Sequence, residues 1–85
     1  MEMNDSIMAY VLMEIEIGQT DEVVERLREI EQAIRIAVTT GGYDIVMLLE
    51  VASLEELYDI TVHRIHVIKG IKDTQTAVVE KMMAV

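Results

Sequence analysis

The stretch Thr40-Gly41-Gly42-Tyr43-Asp44 lies between two apolar runs, residues 34–39 and 45–51. Two adjacent glycines between strand-like segments predict a tight hairpin that uses positive φ angles. The same stretch brings together bare backbone N–H groups, an aromatic ring and a carboxylate. The hairpin therefore indicates the fold and is also a candidate grip for a small zwitterion.

Strand-like segments lie on both sides of this hairpin. Residues 33–39 and 45–51 flank it directly, and residues 74–79 are predicted to form the last strand. Residues 8–17 alternate with the period of a strand. One side carries Ala9, Val11, Met13, Ile15 and Ile17, and the other carries Tyr10, Leu12, Glu14 and Glu16. In the second strand, one side carries Ile34, Ile36 and Val38.

Two helices are predicted between these strands. Thr20 is placed to cap the first helix, and its apolar residues recur at helical spacing: Val23, Val24, Leu27 and Ile30. Ser53 and Glu56 form a capping box for the second helix, which Gly70 ends in a left-handed conformation. The buried stripe of the second helix is predicted to be Leu54, Leu57, Thr61, Ile65 and Ile68.

The element order is strand, helix, strand, strand, helix, strand. This order predicts an α+β, ferredoxin-like βαββαβ fold, with a four-stranded antiparallel sheet and two helices on one face. Residues 1–7 are predicted to be a flexible tail, and residues 8–85 a single domain.

Apolar residues are also predicted on the sheet face that the helices leave uncovered: Tyr10, Leu12, Ala37, Val46 and Leu48. An antiparallel sheet with a wet face carries polar residues there. Exposed together, these residues would form a patch that promotes association. A second copy packed sheet against sheet is the simplest cover, so the patterning predicts a homo-oligomer.

Composition narrows the class of function. The 85 residues contain no cysteine, which excludes disulfides and thiolate chemistry and suits a cytoplasmic protein. The net charge of −9 repels phosphates, so we expect no direct nucleic-acid binding. No apolar run is as long as the ~20 residues of a membrane span, so no membrane association is expected.

The best candidate site combines the hairpin with Thr74-Gln75-Thr76. Two hydroxyls and a glycine loop could hold a carboxylate while Asp44 takes an ammonium group. The plainer alternative is that paired glycines and Asp make a turn without any ligand, and that the threonines reflect strand propensity.

Other candidates are weaker. His63 and His66 lie three residues apart on the second helix, but two histidines do not complete a zinc site, so no metal or cofactor is predicted. Glu14 and Glu16 share a strand face without a companion nucleophile, so no catalytic residue is predicted.

Four segments together resemble the ligand-binding (RAM) domain of the Lrp/AsnC family of transcriptional regulators. They are Gly18 after the first strand, Val-Thr-Thr-Gly-Gly-Tyr-Asp-Ile-Val at 38–46, Leu-Glu-Glu-Leu at 54–57 and Ile-Lys-Gly-Ile-Lys-Asp-Thr-Gln-Thr at 68–76. The resemblance implies a dimeric α+β barrel that pairs through its sheets and assembles further. It also implies an amino-acid effector held by residues 40–44 and by residues 74–76.

Family regulators also carry an N-terminal helix-turn-helix, and the residues before the first predicted strand are too few for one. The resemblance therefore predicts a stand-alone effector domain that acts on transcription through full-length Lrp/AsnC-type regulators.

Two alternatives share the topology: a small cofactor-free monooxygenase-like enzyme and an ACT-like amino-acid sensor. The continuous aliphatic and Met core argues against the enzyme, which needs a polar cavity.

Overall fold

The protein is described by a computed structural model that covers residues 6–85, so residues 1–5 of the predicted tail lie outside the described residues. Ile7, which the predicted tail includes, is instead the first residue of a strand. The elements in chain order are β1 (Ile7–Ile15), α1 (Thr20–Leu27), β2 (Ala33–Val38), β3 (Ile45–Val51), α2 (Leu54–Ile60), a π-helical turn (Thr61–Ile65) and β4 (Ile71–Val78). In the described part of the chain, no helix is long and apolar enough to cross a membrane.

The four strands form one sheet in the order β2-β3-β1-β4, and every neighbouring pair is antiparallel. β1 therefore lies inside the sheet, between β3 and β4, while β2 and β4 form its edges. This topology confirms the predicted ferredoxin-like α+β fold.

One face of the sheet packs against both helices. Ala9, Val11 and Met13 of β1 are fully buried there, together with Val23 of α1, and all belong to one apolar cluster that also contains Leu57 of α2. Burying one side chain of the size of Val, Leu or Met stabilises the fold by about 1.5–3 kcal/mol. The alternation predicted for the first strand is thus confirmed across Ala9–Ile15.

The alternation fails beyond the end of β1. Ile17, predicted on the buried side, is fully exposed because the strand stops at Ile15. Gly18 follows with a φ of +84° and turns the chain toward α1. Thr20 is the first residue of α1 and does not cap it, because Gln19 occupies the N-cap position without a side-chain cap hydrogen bond.

The predicted inner face of β2 is also partly wrong. The register between β2 and β3 shifts between Ala33 and Arg35. Because such a bulge exchanges the faces of the residues before and after it, Ala33 joins Ile36 against the core. Ile34 is 43% exposed instead. Val38 lies beyond the bulge and keeps the predicted side, opposite the buried Ile45, but it is 64% exposed as the last residue of an edge strand.

The capping box of α2 is confirmed with one variation. The Ser53 hydroxyl accepts a hydrogen bond from the Glu56 N–H at 3.1 Å. Glu56 reaches back one residue farther than in the usual motif, and its carboxylate accepts from the Ala52 N–H at 2.6 Å. The same carboxylate accepts from the Gln32 side-chain amide at 2.8 Å, which joins the start of α2 to the segment before β2.

These hydrogen bonds predict a pH dependence of stability. The Ala52 N–H and then the Gln32 amide lower the pKa of Glu56 below its ordinary value of 4.5. Because the folded pKa is the lower one, the stabilisation is present above about pH 4.5 and is lost as the pH falls through the folded pKa. Urea unfolding at pH 7 and pH 3 should therefore show a larger acid loss for the wild type than for Glu56→Gln. An equal loss in both proteins would contradict this role.

The predicted stripe of the second helix is corrected by the π-helical turn. The His66 N–H donates to the Thr61 carbonyl at 2.9 Å, five residues back, so the turn contains one extra residue. Ile60 is buried as well as the predicted Ile65, five residues later, which fits the extra residue. Leu54 precedes this turn as the first residue of α2, and it is 59% exposed although the predicted stripe includes it. A strict 3.6-residue period misses this shift.

The sheet face opposite the helices carries the apolar residues predicted for it. We call this surface the open face: Tyr10, Leu12, Ala37, Val46 and Leu48. Tyr10 lies opposite Leu48 and Leu12 lies opposite Val46, so the four form two adjacent cross-strand pairs at the middle of the sheet. Ala37 lies opposite Val46 on the other side of β3. None of the five belongs to the buried core cluster.

Candidate functional site

The glycine hairpin is closed by hydrogen bonds at its base. The Thr39 N–H donates to the Asp44 carbonyl at 2.9 Å, and the Thr39 hydroxyl donates to the Tyr43 carbonyl at 2.8 Å. Gly41 has a φ of +98°, which confirms the predicted positive angle at this position, whereas Gly42 has an ordinary φ. Only one of the two glycines is therefore needed for the turn itself.

The tip of the hairpin is open. Thr40, Gly41 and Gly42 are exposed. A Cβ atom added at either glycine would meet no other atom within 4 Å. The absence of a side chain at Gly42 is therefore explained neither by backbone angle nor by packing within the chain. Bare peptide groups at such a tip can approach an anion closely.

Asp44 has a structural role that the sequence does not reveal. Its N–H donates to the Met13 carbonyl at 2.9 Å, and its carboxylate accepts from the Ile15 N–H at 2.8 Å. The side chain thus extends the hydrogen-bond ladder between β1 and β3 by one rung before β3 begins at Ile45. One carboxylate oxygen is engaged in this way, which fixes the orientation of the group beside the hairpin.

Tyr43 connects the hairpin to the opposite edge of the sheet. Its hydroxyl hydrogen-bonds the Gln75 side-chain oxygen on β4. Gln75 lies opposite Leu12, and Leu12 lies opposite Val46, so the bond spans β1 on the side of the open face. The structure therefore brings together Tyr43 and Gln75 of the predicted site.

The two predicted threonines lie on the other side of β4. Thr74 and Thr76 are opposite Met13 and Val11, whose side chains face the helices, so they share the helix side of the sheet. Within one chain, the threonines and Gln75 thus project from opposite faces. A small ligand on one face of a single sheet therefore cannot contact the hairpin glycines and both threonines.

His66 is a polar neighbour of this region that sequence reasoning considers only as a metal ligand. Its Nε2 lies 3.0 Å from the Thr74 hydroxyl. A surface cavity of about 330 Å³ is lined by His66, Ile71, Lys72, Asp73 and Thr74. The helical segment ends at Ile65 with His66 as its C-cap, earlier than the predicted stop at Gly70, and β4 begins only at Ile71. No sequence spacing therefore indicates this contact.

The remaining candidates form no cluster with chemistry of its own. His63 lies 3.8 Å from Asp59 on the exposed side of the second helix. Within residues 6–85, no group of three or more His, Cys, Asp or Glu side chains is placed to hold a metal ion.

Comparison with known proteins gives one consistent family. The sequence profile of the "Lrp/AsnC ligand binding domain" matches residues 8–83. An uncharacterised HTH-type transcriptional regulator of Pyrococcus furiosus is 33% identical over 72 residues, which are 85% of this chain and 49% of that protein. This chain therefore spans about half the length of that relative.

Two solved structures show the same architecture. A protein from Thermus thermophilus superposes with a TM-score of 0.86 at 27% identity, over 92% of this chain and 98% of that one. A Neisseria meningitidis transcriptional regulator, solved as a complex with L-Met, superposes with a TM-score of 0.88 at 14% identity, over 95% of this chain and 54% of that one. At 14% identity, the second likeness establishes the fold alone.

Proposed function

Because this chain belongs to the Lrp/AsnC ligand-binding domain family, we propose that it binds a small amino-acid effector at its glycine hairpin. We further propose that it forms homodimers and larger assemblies, and that it modulates transcription by joining full-length regulators of the same family. The relatives that it matches are named as transcriptional regulators, which favours a regulatory role over an enzymatic one.

The observation that carries the proposal is the open hairpin tip beside an oriented carboxylate. An amino acid needs donors for its carboxylate and an acceptor for its ammonium group. The peptide groups around Gly42 can supply the first, since nothing lies within 4 Å of its missing side chain. Asp44 can supply the second, because its hydrogen bond to Ile15 holds it beside the loop.

The predicted threonines enter this site from another copy. Thr74 and Thr76 lie on the helix side of β4, away from the hairpin of their own chain. An effector that contacts both the glycines and the threonines must therefore lie between copies. This arrangement also shields the ligand from water, as recognition of a small zwitterion requires.

Two variants test the site without disturbing the fold. Gly42→Val fills the space above the loop, and its ordinary φ lets valine fit without backbone strain. Asp44→Asn removes the negative charge but keeps an oxygen to accept from the Ile15 N–H. Calorimetric titration with the twenty amino acids should identify a ligand of the wild type, and each variant should weaken its binding by roughly tenfold or more, about 1.4 kcal/mol.

Gly42→Ala provides the graded control, because it adds one carbon at the same position. Unchanged circular dichroism spectra confirm that the variants are folded. If an amino acid binds the wild type and both Gly42→Val and Asp44→Asn equally well, the effector lies elsewhere. If no amino acid binds the assembled wild type, the effector proposal is wrong.

A further inference from the structure

Within residues 6–85, Arg35 is a cation without a partner, and it lies at one corner of the sheet. It is opposite Leu48, which is opposite Tyr10, so its side chain belongs to the side of the open face. It is exposed, and no hydrogen bond or ion pair links it to any other part of the described chain. A carboxylate at this end of the sheet, Glu50, accepts a hydrogen bond from the Ser6 hydroxyl at 2.6 Å instead.

Two carboxylates face each other at the opposite corner. Glu14 of β1 and Asp73 of β4 lie directly opposite in the register, on the same side as the open face. Like charges directly opposite on one sheet face destabilise the pairing. No ion pair to either carboxylate forms within the described chain. The corner is thus suited to receive a cation from outside the chain.

The positions of the two corners suggest where that cation comes from. Arg35 shares a row with Tyr10, and the carboxylates share a row with Glu14, four residues farther along β1. Rows are ~3.4 Å apart and strands ~4.8 Å apart, so the line from Arg35 to the carboxylates runs diagonally across the sheet. Its midpoint falls beside Leu12 and Val46, near the centre of the apolar surface.

A two-fold axis through that midpoint exchanges the corners. Let this axis run between two facing sheets, perpendicular to the diagonal. The axis then places Arg35 of each copy over Glu14 and Asp73 of the other copy. The strands of the two sheets then cross at about 90°, which is one of the two angles that packed sheets favour. Charge placement and apolar cover are therefore satisfied by the same symmetric arrangement.

We propose that Arg35 of each copy pairs with Glu14 and Asp73 of the second copy and fixes the angle at which the two sheets cross. This inference rests on the sheet-to-sheet dimer of the proposed function. It assigns Arg35 as a determinant of partner geometry, beyond the apolar contact that holds the copies together.

A charge exchange tests the pairing. Arg35→Glu should raise the dimer dissociation constant by roughly tenfold or more at low salt, because three carboxylates then meet at each end of the interface. Arg35→Glu combined with Asp73→Arg should restore it to within roughly threefold of the wild type. Arg28→Glu is the matched control, since it makes the same change in charge at an exposed site on the helix side that is paired with Glu25.

Analytical ultracentrifugation at low and high salt measures all four proteins, and circular dichroism checks their folding. A weakened Arg35→Glu dimer that the exchange restores supports the pairing. An Arg35→Glu dimer as tight as the Arg28→Glu dimer overturns it, as does an exchange that restores nothing. A dimeric wild type in those cases leaves the proposed dimer intact, whereas a monomeric wild type removes the dimer and the pairing together.

Discussion

Replacing Gly70 with alanine is expected to lower the free energy of unfolding by about 3 kcal/mol. Gly70 has a φ of +104°, where any Cβ atom is strained. That atom would also lie 2.9 Å from the Gln19 Cβ and 3.1 Å from a methyl group of Val23. A Cβ position is fixed by its backbone, so Gln19 cannot turn away. The junction between the second helix and β4 would have to separate from the start of α1.

The hairpin glycines provide the controls. Gly41 shares the positive φ but has no atom within 4 Å of its missing side chain, so Gly41→Ala should cost about 1 kcal/mol from strain alone. Gly42 has neither constraint, and Gly42→Ala should change stability by less than about 0.5 kcal/mol. Urea unfolding of the three variants should rank them in that order. A Gly70→Ala protein as stable as Gly42→Ala would contradict the close packing at this junction.

Replacing Val46 with aspartate is expected to dissociate the proposed sheet-to-sheet dimer, raising its dissociation constant by roughly a hundredfold or more, about 2.8 kcal/mol. Val46 lies at the centre of the open face, opposite Leu12, so the new carboxylate would be buried between two sheets without a partner. Leu48 is a poorer choice, because it is only 8% exposed within a single chain and its replacement would also disturb the folded monomer.

Val38→Asp is the matched control, since it makes the same replacement on the sheet at an edge position that is 64% exposed. Light scattering across a range of concentrations should show a monomer for Val46→Asp and a wild-type dimer for Val38→Asp. Equal assembly of both variants would show that the open face is not the contact between copies.

The sequence predicts the fold correctly where one hydrophobic period continues through a whole strand or helix. β3 begins and ends as predicted, at Ile45 and Val51, because the glycine hairpin and the Ser53 cap bound it on both sides. Errors occur where one residue interrupts a period. The bulge near Ala33 and the extra residue of the π-helical turn each shift a buried face, and neither leaves a compositional mark that periodicity can detect.

The site is less predictable because it depends on which side of a strand each residue takes. The alternation of a strand predicts that Thr74 and Thr76 share one side, but it does not tell which side faces the helices; the pairing with Met13 and Val11 does. The contact between Tyr43 and Gln75 joins residues 32 positions apart, and that pairing depends on the register of β4 against β1. Charge alone makes Asp44 a candidate in the sequence, whereas its bond to Ile15 is visible only in three dimensions.

The Tyr43 side chain crosses β1 and so links the glycine hairpin to Gln75 on β4. Its backbone belongs to the loop that would grip an effector, and its hydroxyl rests on Gln75 at the border of the surface that a second copy would cover. A ligand that moves this ring changes the shape of that border. Energetic coupling between two binding events is reciprocal, so closure of the interface must alter effector affinity by the same factor. The Tyr43 ring would then couple effector binding at the hairpin to dimer formation at the open face.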